Sequence, residues 1–190
     1  ALTGGKDLIP FLNPMTGKEE DIHQDGPDTG AATHCESWDD FWECYAAQTE
    51  YIIQKSAAVY ETSESLREKY FPTPYLSCLV RGCAEKGRDI TNGGAEINLT
   101  TLETVTYATT VDSLLAIKYL VFDRKKCTMA ELIEALKDNW HGHGVLQAFA
   151  KNKAPKYGRD DNEADAMAKQ VMDLWCNETW KHETASTGRR

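Results

Sequence analysis

Residues 71–100 read FPTPYLSCLVRGCAEKGRDITNGGAEINLT, and the rest of the chain is organised around this stretch. Thr73 stands where a helix cap belongs, and Pro74 takes the first helical position, where its missing N–H is no loss. Tyr75, Leu76, Leu79, Val80 and Cys83 then recur at helical spacing, so the pattern predicts one buried helix from Pro74 that Gly87 ends. Asn92-Gly93-Gly94 marks a corner with backbone angles closed to bulkier residues. Beyond it Ile97 and Leu99, with Ala95, Glu96 and Asn98 around them, read as a short extended strand. Glu96 is therefore a lone acid beside a flexible glycine corner at the foot of a buried helix. As a bare pattern, a glutamate after two glycines is a solvated turn residue.

Working outward, residues 13–36 carry glycines, a proline and many polar groups without periodicity, which makes one long loop. Ser37 caps a helix with Asp40 at the third position. Trp38, Phe41, Trp42, Tyr45, Thr49, Ile52, Ile53 and Tyr60 follow as an aromatic stripe whose plain reading is a core face. A polar helical segment at 61–69 leads back to the opening stretch. Downstream, Thr109 with Asp112 predicts the start of a helix that is apolar on most sides through Phe122, and so buried. Thr128 and Glu131 form a full capping box ahead of Met129, Leu132, Ile133, Leu136 and Trp140. Gly142 and Gly144 break that helix, a short one resumes from Val145 to about Asn152, and Asp160 or Asp161 caps the last helix. The expected inventory is about six helices, one glycine-rich strand region and one long loop.

The 190 residues, 41% of them hydrophobic, suffice for one domain that buries roughly 70% of its unfolded surface. A net charge of −9 argues against a broad basic face for nucleic acid or an anionic membrane surface. No apolar run approaches the roughly 20 residues that span a bilayer, and no charged-then-apolar leader opens the chain. Cytoplasmic residence is the expectation. The six cysteines are scattered and read as reduced core residues. Residues 1–5 look like the tail of a helix begun earlier, and the polar Thr187, Gly188, Arg189 and Arg190 close nothing, so both ends are expected to be cut.

Few motifs carry chemistry. His141 and His143 offer two imidazoles where a zinc site needs three or four converging ligands. Cys78 and Cys83, five apart on one expected helix, point in different directions, and neither has a neighbouring base to activate it. Phosphate loops, GxSxG elbows and HExxH pairs do not occur.

A set of stretches in order is more specific: PTPYLS at 72–77, GCAEKG at 82–87, GGAEIN at 93–98, ATTVDSLLAIK at 108–118 and APKYGRDD at 154–161. Together they resemble the glycyl radical enzymes, the relatives of pyruvate formate-lyase. Many of those lyases have Arg-Tyr-Asn after the glycine pair. Glu96-Ile97-Asn98, with TYATT at 106–110, instead resembles the arylacetate decarboxylases, above all the large subunit of 4-hydroxyphenylacetate decarboxylase.

The resemblance implies that residues 1–190 are the α-rich part of a pyruvate formate-lyase-type domain, truncated at both ends, within a ten-stranded α/β barrel. The thiyl-cysteine loop and the C-terminal glycyl radical domain of the family have no counterpart in the sequence, so the segment alone is expected to be inactive. The implied reaction of the complete enzyme is radical decarboxylation of an arylacetate such as 4-hydroxyphenylacetate to p-cresol and CO2. Glu96 would face the substrate phenol as acid and base. The implied cofactor is a protein-based glycyl radical, installed by a radical-SAM activating enzyme, with none bound in this segment. Implied partners are a small aryl acid, the activating enzyme, a small iron–sulfur subunit and further copies in an oligomer. The alternatives are a phenylacetate or indoleacetate decarboxylase, a dehydratase, or a stand-alone helical interaction module.

Overall fold

The computed structural model describes residues 1–7, 9–10, 12–19, 21–184 and 187–188. Within them lie seven α-helices: α1 (Trp38–Tyr70), α2 (Pro74–Ser77), α3 (Cys83–Lys86), α4 (Tyr107–Ile117), α5 (Met129–Lys137), α6 (Gly144–Asn152) and α7 (Asn162–Thr179). A π-helical turn, Lys118–Asp123, extends α4. The chain forms two compact units, one of Ala1–Tyr51 and Val105–Leu174, the other of Ile52–Thr104 and Trp175–Arg190. Arg189 and Arg190, expected to close nothing, lie outside the described residues.

The first unit holds the apolar core. Ser37 Oγ accepts the amide of Asp40 at 3.1 Å, and Asp40 Oδ2 accepts the amides of Ser37 and Glu36, so α1 starts where the sequence places it. The aromatic face then turns inward: Phe41 is 1% exposed, and Trp38 meets Phe122 edge-on at 6.0 Å. Val111 and Leu115 of α4, Leu120, Leu132 of α5 and Val171 of α7 complete this core. Thr128 and Glu131 cap α5 reciprocally. Asp161 Oδ1 accepts the amides of Glu163 and Ala164 at the head of α7. Lys118, on the π-turn, pairs with Asp123 at 2.9 Å and with Glu163 at 2.6 Å. Burial works against its charge, but these two carboxylates outweigh it and raise the ammonium above its ordinary value. The opening loop is fastened to α1 by Gln48, whose side-chain amide donates to Pro27 O at 2.7 Å and Thr29 Oγ1 at 3.1 Å.

Several expectations fail. No strand forms among the described residues; the only bridges are isolated ones, Lys6 with Gln24 and Leu12 with Glu19. Residues 95–105 carry no regular structure, because an extended run becomes a strand only beside a partner that completes its ladder. Residues 1–5 make a turn rather than a helix tail, with Gly4 N donating to Ala1 O at 3.1 Å. Helix α4 starts at Tyr107, not after Thr109, and Asp112 serves the amide of Tyr157 instead of a cap. Of the six free cysteines only Cys83 is buried, while Cys78 and Cys176 are exposed. No helix among the described residues is long and apolar enough to cross a membrane.

Candidate functional site

The stretch around Glu96 belongs wholly to the second unit. The single helix expected from Pro74 to Gly87 is two short ones, α2 and α3, separated by a turn. Gly82 causes the break: its φ is +94°, and a Cβ there would stand 2.6 Å from Glu96 N. Glu85 Oε2 accepts the Gly82 amide at 3.0 Å, which starts α3 afresh. Gly94 is equally constrained, since its Cβ would lie 2.1 Å from Arg88 O. The two glycines therefore let residues 94–96 lie directly against the chain at 81–89. Lys86 Nζ donates to Ala95 O at 2.6 Å and seals that contact.

Asp89 is the hub of the corner. Its carboxylate accepts the Thr73 amide at 3.0 Å, the Ser77 hydroxyl at 2.8 Å, and both the amide and the hydroxyl of Thr91, at 2.9 and 2.7 Å. Its backbone carbonyl accepts the Gly94 amide at 3.0 Å. Desolvation pushes the carboxyl up, but the bonds from Thr91, Ser77 and Thr73 outweigh it and hold the group well below the usual carboxylate range. One side chain thus ties the head of α2 to the turn that precedes the glycine pair.

Glu96 sits at the edge of this knot. Its amide donates to Arg81 O at 2.8 Å, and its Oε2 lies 3.3 Å from Arg81 Nε. The side chains are 60% and 84% exposed, so the acid stands in solvent and not at the foot of a buried helix. That is the setting a stand-alone module would give it. Its neighbours Ile97 and Leu99, however, are 76% and 67% exposed, which is what an uncovered segment of a larger wall would show. Two residues on, Asn98 Nδ2 donates to Thr187 O at 2.8 Å.

Cys83 is 3% exposed and opens α3. Cys78 is exposed, and both cysteines line one open hollow together with Ser77 and Arg88. Among the described residues, no group of three or more His, Cys, Asp or Glu side chains is placed to hold a metal ion. The sequence reading missed Arg81 and Asp89. Asp89-Ile-Thr91 is an Asx-type cap, a signal that was present in the residues themselves.

Comparison with known proteins gives this geometry its context. The family described as Pyruvate formate lyase-like matches residues 12–190. The trans-4-hydroxy-L-proline dehydratase of Clostridioides difficile is 35% identical over 165 residues, covering 87% of this chain and 21% of that protein. The (2S)-3-sulfopropanediol dehydratase of Klebsiella oxytoca is 34% identical over 164 residues, covering 86% and 20%. The crystal structure of the hydroxyproline dehydratase from Clostridioides difficile with its substrate bound superposes with a TM-score of 0.84 at 34% identity, over 93% of this chain and 22% of that one. The chain thus spans about a fifth of the length of these relatives. The 4-hydroxyphenylacetate decarboxylase glycyl radical subunit of the same organism is 30% identical over 128 residues, but that match takes in only 55% of this chain. On the extent of the family match and of these likenesses, the chain belongs to the pyruvate formate lyase-like family, that of the glycyl radical lyases.

Proposed function

We propose that the whole protein is a glycyl radical lyase that eliminates water, or a comparable leaving group, from a small hydroxylated substrate. In this reading residues 93–98 belong to the wall of an α/β barrel and Glu96 turns toward the substrate. One contrast supports the reaction class: the two dehydratases are similar over 86–87% of the chain, the decarboxylase over 55%. Enzymes of this family use a protein-based glycyl radical, which supplies hydrogen-atom abstraction, and an activating enzyme is the partner that installs it. The residues of this chain handle protons. A leaving hydroxyl departs as water only if a proton reaches its oxygen, and a carboxyl group within hydrogen-bond reach supplies and retrieves that proton. Glu96 has the chemistry, and the backbone bond to Arg81 fixes where it is presented. The protein is read as cytoplasmic.

Glu96→Gln in the complete enzyme tests the assignment. Turnover of the hydroxylated substrate should fall about 100-fold or more, while the glycyl radical seen by electron paramagnetic resonance stays at wild-type intensity. Unchanged turnover removes Glu96 from the reaction.

A second reading keeps arylacetate decarboxylation, favoured by the acid that directly follows Gly93-Gly94-Ala95. A phenolic substrate would give Glu96 a proton to accept, and a small iron–sulfur subunit and an oligomer would accompany this reading. Assay of the activated enzyme with 4-hydroxyphenylacetate and with trans-4-hydroxy-L-proline separates the two. Release of p-cresol and CO2 would establish the second.

A further inference from the structure

In the first unit the opening loop is held against α1 at two positions one helical turn apart. Gln48 binds Pro27 and Thr29, and Cys44 Sγ donates to Thr29 O at 3.6 Å. The loop then makes a single 3₁₀ turn, Ala32–His34, and ends at Cys35, whose amide donates to Ala32 O at 3.1 Å. Ala32 is fully buried, and its amide donates to Leu2 O at 3.2 Å. Loop and helix are thus set by contacts that owe nothing to sulfur chemistry. On that frame the thiols of Cys35 and Cys44 share a hydrogen bond, and both are free and half-buried.

Burial, then the neighbouring Cys44 thiol and the Asp40 carboxylate, push the Cys35 thiol up to about 11. Near neutral pH it is protonated and a poor nucleophile, which argues against a standing role as an attacking group. The same property makes Cys35 a poor leaving group, so a disulfide from which it must depart reopens slowly.

We propose that Cys35 and Cys44 form a modification site, a dithiol that a small-molecule disulfide such as oxidised glutathione closes into an intramolecular disulfide. One protein sulfur, as thiolate, attacks the small disulfide and releases one small thiol. The second protein sulfur then displaces the other from the mixed disulfide. The two protein thiols lose two electrons and two protons, and the small disulfide takes them up and leaves as two thiols. The new bond joins the end of the opening loop to the second turn of α1 in the arrangement they already have. The proposal does not rest on the reaction assigned to Glu96.

The test is equilibration of the purified full-length protein, before activation, in glutathione buffers of rising disulfide content. Remaining thiols are alkylated, and a glutamyl endopeptidase, which cuts at Glu36 and Glu43 between the two cysteines, separates their peptides for mass spectrometry. Cys127 is the internal control, since it too is free and half-buried, with its thiol pushed up by burial and by Glu131. A linked pair of peptides, lighter than their sum by two hydrogen atoms, should form at a disulfide content at least about tenfold below that which modifies Cys127, because a neighbouring thiol acts at high effective concentration. In Cys44→Ser, Cys35 should be modified no more readily than Cys127. Absence of the linked pair at every ratio, or its formation only where Cys127 is also modified, overturns the site. Equal closure in urea-unfolded protein also overturns it, since nearness in sequence rather than the fold would then join the two thiols.

Discussion

The amide of Glu96 donates to the carbonyl of Arg81 at 2.8 Å, and the side chains of the same two residues pair at 3.3 Å. The two links differ in kind. The backbone bond is part of a packed corner, whereas the ion pair lies between side chains that are 84% and 60% exposed. Position is therefore set by the main chain, and the charges are left available.

It follows that Arg81→Gln and Glu96→Gln should each change stability by less than about 1 kcal/mol, the usual worth of an exposed ion pair. Urea denaturation measures this. A small change for Glu96→Gln makes any loss of turnover a statement about chemistry rather than folding.

Gly82 should tolerate nothing larger. Alanine there combines a φ of +94° with a Cβ 2.6 Å from Glu96 N, and that neighbour is backbone that cannot rotate away. Gly82→Ala should destabilise the protein by at least about 2 kcal/mol, read as a lower urea midpoint. Equal stability would mean the corner is not packed as described.

Asp89 gives the corner a pH dependence with a definite sign. Its carboxyl ionises more readily folded than unfolded, so the unfolded chain binds the proton more tightly. The stabilisation is complete above the ordinary value of 3.8 and is lost as pH falls below it through the lower folded value. In wild type the denaturation midpoint should drop as pH falls from about 4 toward 2. In Asp89→Asn that drop should be smaller, from a lower starting midpoint. An identical acid limb in both proteins would refute the hub.

In the first unit, Phe41 is 1% exposed and packs 5.7 Å from Trp38 and 6.3 Å from Phe122. Phe41→Ala should cost about 3–5 kcal/mol. Phe71, 69% exposed, is the internal control, and Phe71→Ala should stay within about 0.5 kcal/mol. Thermal unfolding of the two variants ranks them.

Where local chemistry decides, the sequence is a good guide. Ser37 with Asp40, Thr128 with Glu131, and Asp161 each cap the helix their spacing announces, and the aromatic stripe of α1 does bury Phe41. The failures share a cause. The expected helix through Leu79 and Val80 breaks at Gly82, where the chain turns to let Arg81 O accept the amide of Glu96, fifteen residues on, and no periodicity reports such a bond. The strand expected at Ile97 and Leu99 lacks a partner among the described residues, and Asn98 reaches Thr187 with its side chain instead. α4 begins at Tyr107, whose hydroxyl donates to Ala168 O, a contact across 61 residues of sequence. Glu96 itself was singled out by family resemblance, since a glutamate after two glycines carries no signal of its own.

The bonds that Asp89 accepts through its carboxylate come from residues no more than 16 positions away. Closing so short a loop loses little chain entropy, and contacts of this separation form early. The Asp89 knot beside Glu96 is therefore local, held by bonds within residues 73–91.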